Sequence, residues 1–345
     1  MPENAKTKLA GMDGVLTSGN PKFMNSLKQI DELHVPVLLE RTLEILGESL
    51  AGEDAVLVDC TLGLGGHTGA FLEKFPTLTV IGIDRDQNAL KLAGERLARF
   101  GNRARFAHAT YDEILEVIAE FDLKNVQGIL LDLGVSSMQL DEAERGFAYS
   151  YDAPLDMRMD DTESLTAADV LNNYSESDLV RIFKEYGEER FAKPIASAIV
   201  ARRATEQFST SAALAKLIVD IVPFIPGKSK GHPAKRVFQA LRIEVNRELD
   251  VLERTMPAAI KALAVGGRIL VLAYQSLEDR IVKQALAAAS TSSAPLDMPI
   301  ELPEHAPVLR LVVKGAELAG ESEIQANPRA ASVRLRAAEK IRSAA

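Results

Sequence analysis

The sequence predicts an α/β fold in which helices cover a mainly parallel sheet and a helical block is inserted between two strands. Three observations lead to this prediction. Apolar runs rich in β-branched residues alternate with helical patterns over residues 55–132, an order typical of βαβ units. From residue 166 to residue 263 only helical patterns occur. The strand pattern GGRILVLAY then restores the sheet.

Length and composition limit the possible classes of protein. A chain of 345 residues is long enough for two domains, or for one large domain with an insertion. The single cysteine, Cys60, excludes a disulfide framework, and the five scattered histidines give no metal-binding spacing. No apolar run has the length of a membrane span, and the N-terminus lacks the layout of a signal peptide. We therefore expect no metal, no membrane association and a cytoplasmic location.

Residues 55–84 have the pattern of a βαβ unit that binds a nucleotide-like ligand. A short apolar run ends at Asp59, three glycines follow within residues 63–66, and a second run ends at Asp84. Side chains in place of these glycines would hold a ligand away from the backbone. Asp84 lies about twenty residues beyond the loop, which is the usual distance to a carboxylate that binds ribose hydroxyls.

The acid before the glycines separates two ligand classes. In the spacing D-x-x-x-G-x-G-G, Asp59 would repel the pyrophosphate of a dinucleotide. It suits S-adenosylmethionine (SAM), which has no phosphate and carries a sulfonium and an ammonium. The pattern favours SAM, with a purely structural glycine turn as the alternative.

The remaining strands and helices follow in order. Residues 1–30 are polar and aperiodic and are interpreted as a flexible tail. A helix is expected from Pro36 to about residue 47, and Asp86 is expected to cap the next one. Strands are predicted over residues 103–107 and 126–131. Tyr111 lies just beyond the third strand, where its ring can stack on adenine or pack against the next helix, and Asp132 ends the fourth strand.

A polar stretch of almost thirty residues follows Asp132 and is expected to be functional, because it starts at the carboxyl end of a central strand. Arg158 in this stretch could close over a substrate or form a structural salt bridge. The helical block comes next, with Ser175 as a predicted cap, and one long helix is expected over residues 234–263. After the fifth strand, Ser276 is the predicted cap of a helix. Two closing strands are predicted over residues 307–313 and 332–337.

A basic strip interrupts the acidic chain, whose net charge is −9. Residues 223–247 contain six basic residues against the single acid Glu244: Lys228, Lys230, Lys235, Arg236, Arg242 and Arg247. Such a strip can contact phosphates, or it can be a solvated helix face.

Several strings carry a resemblance to a known family: GGHTGAFLEKF, DLGVSSMQLDEAERGFAYSYDAPLDMRMD, YGEERFAKPIASAIV, HPAKRVFQALRIEVNRELD and NPRAASVRLRAAEK. Together they resemble the bacterial small-subunit ribosomal RNA methyltransferase H family (MraW/RsmH type), from about residue 34 to the C-terminus. The resemblance implies a Rossmann-like SAM-dependent methyltransferase domain with an inserted all-helical domain. It also implies N4-methylation of a cytosine in the decoding centre (P-site region) of 16S rRNA.

The resemblance assigns residue roles. It implies cofactor contacts from seven residues: Gly65, Gly66, His67, Asp84, Tyr111, Asp132 and Gln139. Beyond the resemblance, our catalytic candidates are Asp132, Ser136 and Ser137. We hypothesise that backbone carbonyls of this loop, with Ser136 or Ser137, hold the target amine, and that Asp132 serves the cofactor and the geometry more than proton abstraction. The alternative is that both serines only satisfy hydrogen bonds of the turn. The RNA-binding candidates are Lys235, Arg236, Arg242, Arg202, Arg203 and Gln275. The expected domains are 31–137 with 235–345 for SAM and 138–234 for substrate recognition.

Five positions depart from the family pattern. Tyr111 stands where the family has Phe, and Ala331 replaces an arginine. Ala273, Tyr274 and Gln275 stand where the family reads Ser-Phe-His, and a glutamine side chain cannot titrate near neutral pH. A non-catalytic RNA-binding assembly factor with a SAM pocket is therefore one alternative. A nicotinamide-dependent oxidoreductase is a second, disfavoured by the acid before the glycines. The sequence leaves the oligomeric state open, a homodimer included.

Overall fold

The computed structural model describes residues 36–134, 145–149, 152–223, 231–295 and 302–343. These residues form one sheet of seven strands in the order β3-β2-β1-β4-β5-β7-β6. The strands from β1 to β5 run parallel, and β7 pairs antiparallel with both β5 and β6. Their bounds are β1 (Val56–Asp59), β2 (Thr79–Asp84), β3 (Ala104–His108), β4 (Val126–Asp132), β5 (Leu263–Ala273), β6 (Leu309–Leu311) and β7 (Arg334–Lys340). The predicted α/β Rossmann-like fold is confirmed.

The helices are α1 (Leu39–Gly47), α2 (Gly66–Lys74), α3 (Gln87–Leu97), α4 (Ile114–Glu120), α5 (Ala167–Asn173), α6 (Glu176–Glu185), α7 (Ala192–Arg203), α8 (Ser211–Ile221), α9 (Lys235–Asn246), α10 (Glu248–Ala262), α11 (Ser276–Ala289) and α12 (Glu321–Ala326). Asp86 caps α3 and Ser175 caps α6, as predicted. In the described part of the chain, no helix is both long and apolar enough to cross a membrane.

Alternate residues of the central strands bury opposite faces of the sheet. On β1, Leu57 packs in the same apolar cluster as Phe71 of α2, together with residues of α1. The next residue, Val58, packs in another cluster with Met256 of α10 and Val282 of α11. Both faces are covered, which explains why these strands read as unbroken apolar runs rather than alternating ones. This arrangement leaves the strand ends as the place for polar chemistry.

The helices α5 to α9 enclose an apolar core of their own, between β4 and β5 in the chain. Leu171, Phe183 and Ile199 supply this core from three of the helices, and none of them is exposed. The expected insertion of helices between the fourth and fifth strands is thus present. The division into domains at residues 137 and 235 stays a prediction. The predicted tail lies outside the described residues.

The predicted helix over residues 234–263 is wrong in one respect. Arg247 adopts a left-handed backbone with φ of 51°, and it separates α9 from α10. The break lets Asn246 turn inward, where its amide donates to the Met157 carbonyl at 2.8 Å and accepts from the Met159 N–H at 2.8 Å. The first helix was also placed too early, because α1 begins at Leu39 rather than at Pro36.

Candidate active site

Three acids end neighbouring parallel strands and therefore meet at one edge of the sheet. They are Asp59 on β1, Asp84 on β2 and Asp132 on β4. The sheet order places β1 between the other two strands. In parallel α/β sheets, ligands bind in the crevice outside these carboxyl ends.

The glycine loop is tied directly to the acid that follows β2. Gly63 has φ of 50°, and its N–H donates to Asp84 Oδ2 at 2.8 Å. Gly65 has φ of 73° and precedes α2, and a Cβ atom on it would lie 2.7 Å from Leu97 Cδ1. A side chain at Gly65 would therefore be strained and would collide with the core.

Asp84 is held in place by the backbone and keeps acceptor capacity. Its second oxygen accepts from the Asp86 N–H at 2.9 Å. Burial raises the pKa of this carboxyl above its usual range. Because each carboxylate oxygen has two lone pairs, one remains on each oxygen for the hydroxyls of a ribose. The cradle of glycine and carboxylate therefore fits the nucleoside part of SAM.

Asp59 is buried and hydrogen-bonded at the start of the glycine loop, and its suitability for a cationic ligand stays a prediction. It is only 2% exposed, its Oδ2 accepts from the Thr68 hydroxyl at 2.7 Å, and its Oδ1 accepts from the Thr61 N–H at 3.3 Å. Burial raises its pKa. This acid thus holds the glycine loop against α2.

His67 is buried on α2 between two oxygens. Its Nε2 lies 3.1 Å from the Val37 carbonyl oxygen, and its Nδ1 lies 3.7 Å from Asp132 Oδ2. Burial lowers the pKa of the imidazole, so the neutral form is favoured. A neutral ring that donates from Nε2 leaves Nδ1 as an acceptor. The cofactor contact expected of His67 stays a prediction.

Asp132 lies at the centre of this edge. Its N–H donates to the Thr61 hydroxyl at 2.6 Å, and its Oδ1 accepts from the Tyr274 hydroxyl at 2.7 Å. Burial raises the pKa of Asp132 to about 7. A carboxyl with such a pKa can hold or release a proton near neutral pH, which suits acid–base chemistry.

The turn after β5 completes the edge. Glu278 accepts from the N–H groups of Tyr274 and Gln275 at 3.0 and 3.1 Å. Gln275 is the N-cap of α11, so the predicted cap at Ser276 is wrong by one residue. The Gln275 Oε1 atom is buried and accepts no hydrogen bond from the described residues. The Ser276 hydroxyl instead donates to Glu188 Oε2 at 2.8 Å.

Tyr111 begins a short 3₁₀ turn after β3 and is half-buried. It packs against the apolar cluster that also contains Met256 of α10. Burial raises the pKa of its hydroxyl, and Arg85, Glu248 and Glu278 are the charged groups that act on it most. Stacking of this ring on adenine stays a prediction. Ser136, Ser137 and Gln139 lie outside the described residues.

The basic residues fall into two groups. The Arg242 guanidinium lies in an ion pair with Glu248 in which both side chains are nearly buried, and the RNA contact expected of Arg242 stays a prediction. Lys235 and Arg236 are exposed at the start of α9, where Arg236 donates to the Glu188 carbonyl at 2.9 Å.

Arg202 and Arg203 end α7 and are partly exposed. Arg202 donates to the Ala213 carbonyl at 3.2 Å, and Arg203 donates to the Leu171 carbonyl at 2.7 Å. Both guanidinium groups thus fasten α7 to neighbouring helices. Arg158 pairs with Asp156 at 2.7 Å, which favours the structural salt bridge over a substrate contact.

Two supporting residues were not predicted. Arg145 pairs with Asp86 and donates to the Met159 carbonyl at 2.9 Å. Asn246 also accepts at its main-chain oxygen from Arg85 Nη1 at 2.9 Å. Both residues stand in the strings that carry the family resemblance, but their partners are distant in sequence. They fasten residues 157–159 beside the cofactor edge.

Comparison with known proteins decides the family. The sequence profile of the MraW methylase family matches residues 31–341, which is nearly the whole chain. The chain belongs to the MraW methylase family. It is 58% identical over 311 residues to the ribosomal RNA small subunit methyltransferase H of Saccharopolyspora erythraea, covering 90% of this chain and 94% of that protein. It is 59% identical over 313 residues to the protein of the same name from Clavibacter michiganensis, covering 91% and 98%.

An rRNA methylase from Streptococcus thermophilus aligns over 90% of this chain and 99% of its own length, with a TM-score of 0.40 and 10% identity. Membership in the family makes this chain a methylase, and its methyl donor is SAM. The glycine loop and Asp84 fit that cofactor, as shown above.

Proposed function

We propose that this protein transfers a methyl group from SAM to N4 of a cytosine in the decoding centre of 16S rRNA, within the small ribosomal subunit. The observation that carries the proposal is the meeting of the glycine loop, Asp84 and Asp132 at one sheet edge in a member of a methylase family. The relatives named as ribosomal RNA small subunit methyltransferase H support the class of substrate.

The cofactor is assigned to the crevice over the glycine loop. SAM supplies a methyl group activated by a sulfonium. Asp84 binds the ribose, Gly65 and Gly66 let the amino-acid part approach the backbone, and Tyr111 packs against the adenine. His67 lies under this pocket as a neutral ring, and Gln139 is assigned to the same site.

Asp132 acts on the target amine. The N4 lone pair of cytosine is delocalised into the ring, so an acceptor for the amine hydrogens helps to localise it on nitrogen. Asp132 Oδ1 is held by Tyr274, and the other oxygen accepts one N–H of the amine. The same carboxylate takes the proton that leaves after transfer, which its pKa of about 7 allows. Ser136 and Ser137 are assigned to positioning of the amine.

The RNA must bring an unstacked base to this edge. Lys235 and Arg236 are assigned to the phosphates beside the base, because both are exposed and Arg236 donates to the carbonyl of Glu188, whose carboxylate accepts from the Ser276 hydroxyl. Arg202, Arg203 and Gln275 are assigned to weaker contacts. The helical insertion, residues 138–234, is assigned to substrate recognition in the cytoplasm, where small subunits are assembled.

The experiment is a transfer assay with SAM labelled in its methyl group and undermethylated small subunits as substrate. The RNA is digested, and mass spectrometry identifies the modified nucleoside and its position. We expect N4-methylcytidine at one site in the decoding centre. The Asp84→Ala variant is the control, with both cofactor binding and labelling lost.

Two outcomes contradict the proposal. A different methylated nucleoside would show another target. An absence of label, with SAM binding measured by calorimetry, would favour a non-catalytic assembly factor, the alternative that the departure at Gln275 suggests.

A further inference from the structure

The side chain of Tyr274 connects the ends of two neighbouring strands. Tyr274 follows β5 directly, and Asp132 ends β4, where it pairs with Leu272 of β5. The tyrosine hydroxyl lies 2.7 Å from Asp132 Oδ1, and the tyrosine N–H lies 3.0 Å from Glu278 Oε2. Glu278 therefore holds the backbone of Tyr274 in place, and the Tyr274 hydroxyl in turn holds the carboxylate of Asp132.

The direction of this hydrogen bond follows from the surroundings. Burial, together with the charge of Asp132, raises the pKa of the Tyr274 hydroxyl well above its usual value. The hydroxyl therefore stays protonated at any pH at which the protein is studied, and it donates to the carboxylate. A hydrogen bond donated to a carboxylate favours the ionised form.

The two oxygens of Asp132 are thereby made different. Oδ1 is occupied by Tyr274, while Oδ2 lies on the side of His67, 3.7 Å from its Nδ1. The other charged groups near this pair are Asp59 below the glycine loop, Glu278 under the tyrosine backbone and Glu323 of α12. In the described part of the chain, no donor forms a hydrogen bond to Oδ2.

We propose that Tyr274 is a positioning residue for methyl transfer, whose hydroxyl donates to Oδ1 of Asp132 and so keeps this residue a carboxylate that can accept from the substrate amine. This inference rests on the proposed function, since it deepens the role of Asp132 in it. Tyr274 itself touches neither the methyl group nor the amine.

The test is Tyr274→Phe, which removes one hydroxyl and keeps the ring. The readout is kcat against pH, with saturating SAM and small subunits. We expect the wild-type protein to lose activity as pH falls through about 7, because burial raises the pKa of Asp132 to about 7. In the variant, loss of the hydrogen bond raises the pKa of Asp132, so the acidic limb of the kcat profile moves upward by about one pH unit. Above the shifted limb kcat returns to within about twofold of wild type, and KM for the subunit is unchanged.

Tyr174→Phe is the matched control, because the Tyr174 hydroxyl donates to Glu244 at 2.8 Å in the helical block. It removes the same kind of hydrogen bond outside the site, so its limb must coincide with that of wild type. A purely structural role of Tyr274 predicts a loss of kcat by the same factor at every pH. That result, or an unshifted limb, would overturn the proposal.

A second measurement separates this inference from the proposed function. Carbon-13 NMR of the aspartate side-chain carboxyls, with Asp132→Asn to assign the signal, follows the titration of Asp132 without any substrate. An upward shift of the Asp132 midpoint in Tyr274→Phe supports the positioning role even if the wild-type protein methylates another nucleoside. An unchanged midpoint rejects the positioning role even if the wild-type protein forms N4-methylcytidine.

Discussion

The Arg242 guanidinium donates two hydrogen bonds to the Glu248 carboxylate, from Nε at 2.7 Å and from Nη2 at 2.9 Å. The two lie six positions apart in the chain, and on one continuous helix such residues would point about 120° apart. They meet because the left-handed Arg247 ends α9 and starts α10 between them. The ion pair therefore depends on a helix break at Arg247, which the apolar periodicity of the sequence does not reveal.

Arg242→Met is expected to lower the free energy of unfolding by about 3 kcal/mol, because it leaves the Glu248 carboxylate buried without its partner. Urea unfolding measures this. The double variant Arg242→Met with Glu248→Met should recover most of the loss, since it removes both charges. If Arg242→Met unfolds like wild type but binds RNA more weakly, Arg242 contacts RNA and the ion pair does not stabilise the fold.

Replacing Lys235 and Arg236 together by alanine should weaken binding to the small subunit and reduce its dependence on salt. Each phosphate contact contributes about 0.9 to the slope of log K against log salt concentration, so the slope should fall by about 1 to 2. The matched control is Lys124→Ala with Lys261→Ala. These exposed lysines precede β4 and β5, at the opposite edge of the sheet. Equal slopes for both double variants would refute the assignment.

Asp84→Ala should raise the Kd for SAM by about 100-fold, because two hydrogen bonds to the ribose of about 1.5 kcal/mol each are lost. Isothermal titration calorimetry measures the change. Asp84→Asn keeps one side-chain acceptor and should lose only about tenfold. Thermal unfolding without SAM shows whether the variants keep the fold. If a folded Asp84→Ala protein binds SAM with an unchanged Kd, Asp84 does not bind the cofactor.

Glu278 should make stability depend on pH. Burial raises its pKa from 4.5 to about 7. Because the folded-state pKa is raised, the stabilisation is present below pH 4.5 and is lost as pH rises through about 7. Between pH 5 and pH 8, Glu278→Gln should therefore gain roughly 2 kcal/mol of unfolding free energy relative to wild type.

Urea unfolding at several pH values measures this difference. Glu253→Gln, on an exposed position of α10, is the control for loss of a carboxylate. If the difference between Glu278→Gln and wild type does not change with pH, Glu278 is ionised throughout the range.

Local sequence was sufficient to predict a structural feature where the residues that form it are close in the chain. The glycine loop and Asp84 were predicted because their spacing is fixed within one βαβ unit. The caps Asp86 and Ser175 were predicted because a side chain bonds to an N–H two or three residues ahead. The cap at Ser276 was misplaced by one residue because the acid Glu278 fixes the backbone of Tyr274 and Gln275 instead.

Sequence by itself thus determined the fold class, the three strand-end acids and the family, since all of these depend on short spacings and residue identity. Tertiary structure decided which side chains of the basic strip are exposed and can contact RNA. Arg242 is withdrawn into an ion pair while Lys235 remains exposed, although both stand in one basic strip. It also decided that Tyr274 meets Asp132, 142 residues earlier in the chain. The physical reason is that neighbouring strands of a parallel sheet come from distant segments, and their ends meet only when the sheet forms.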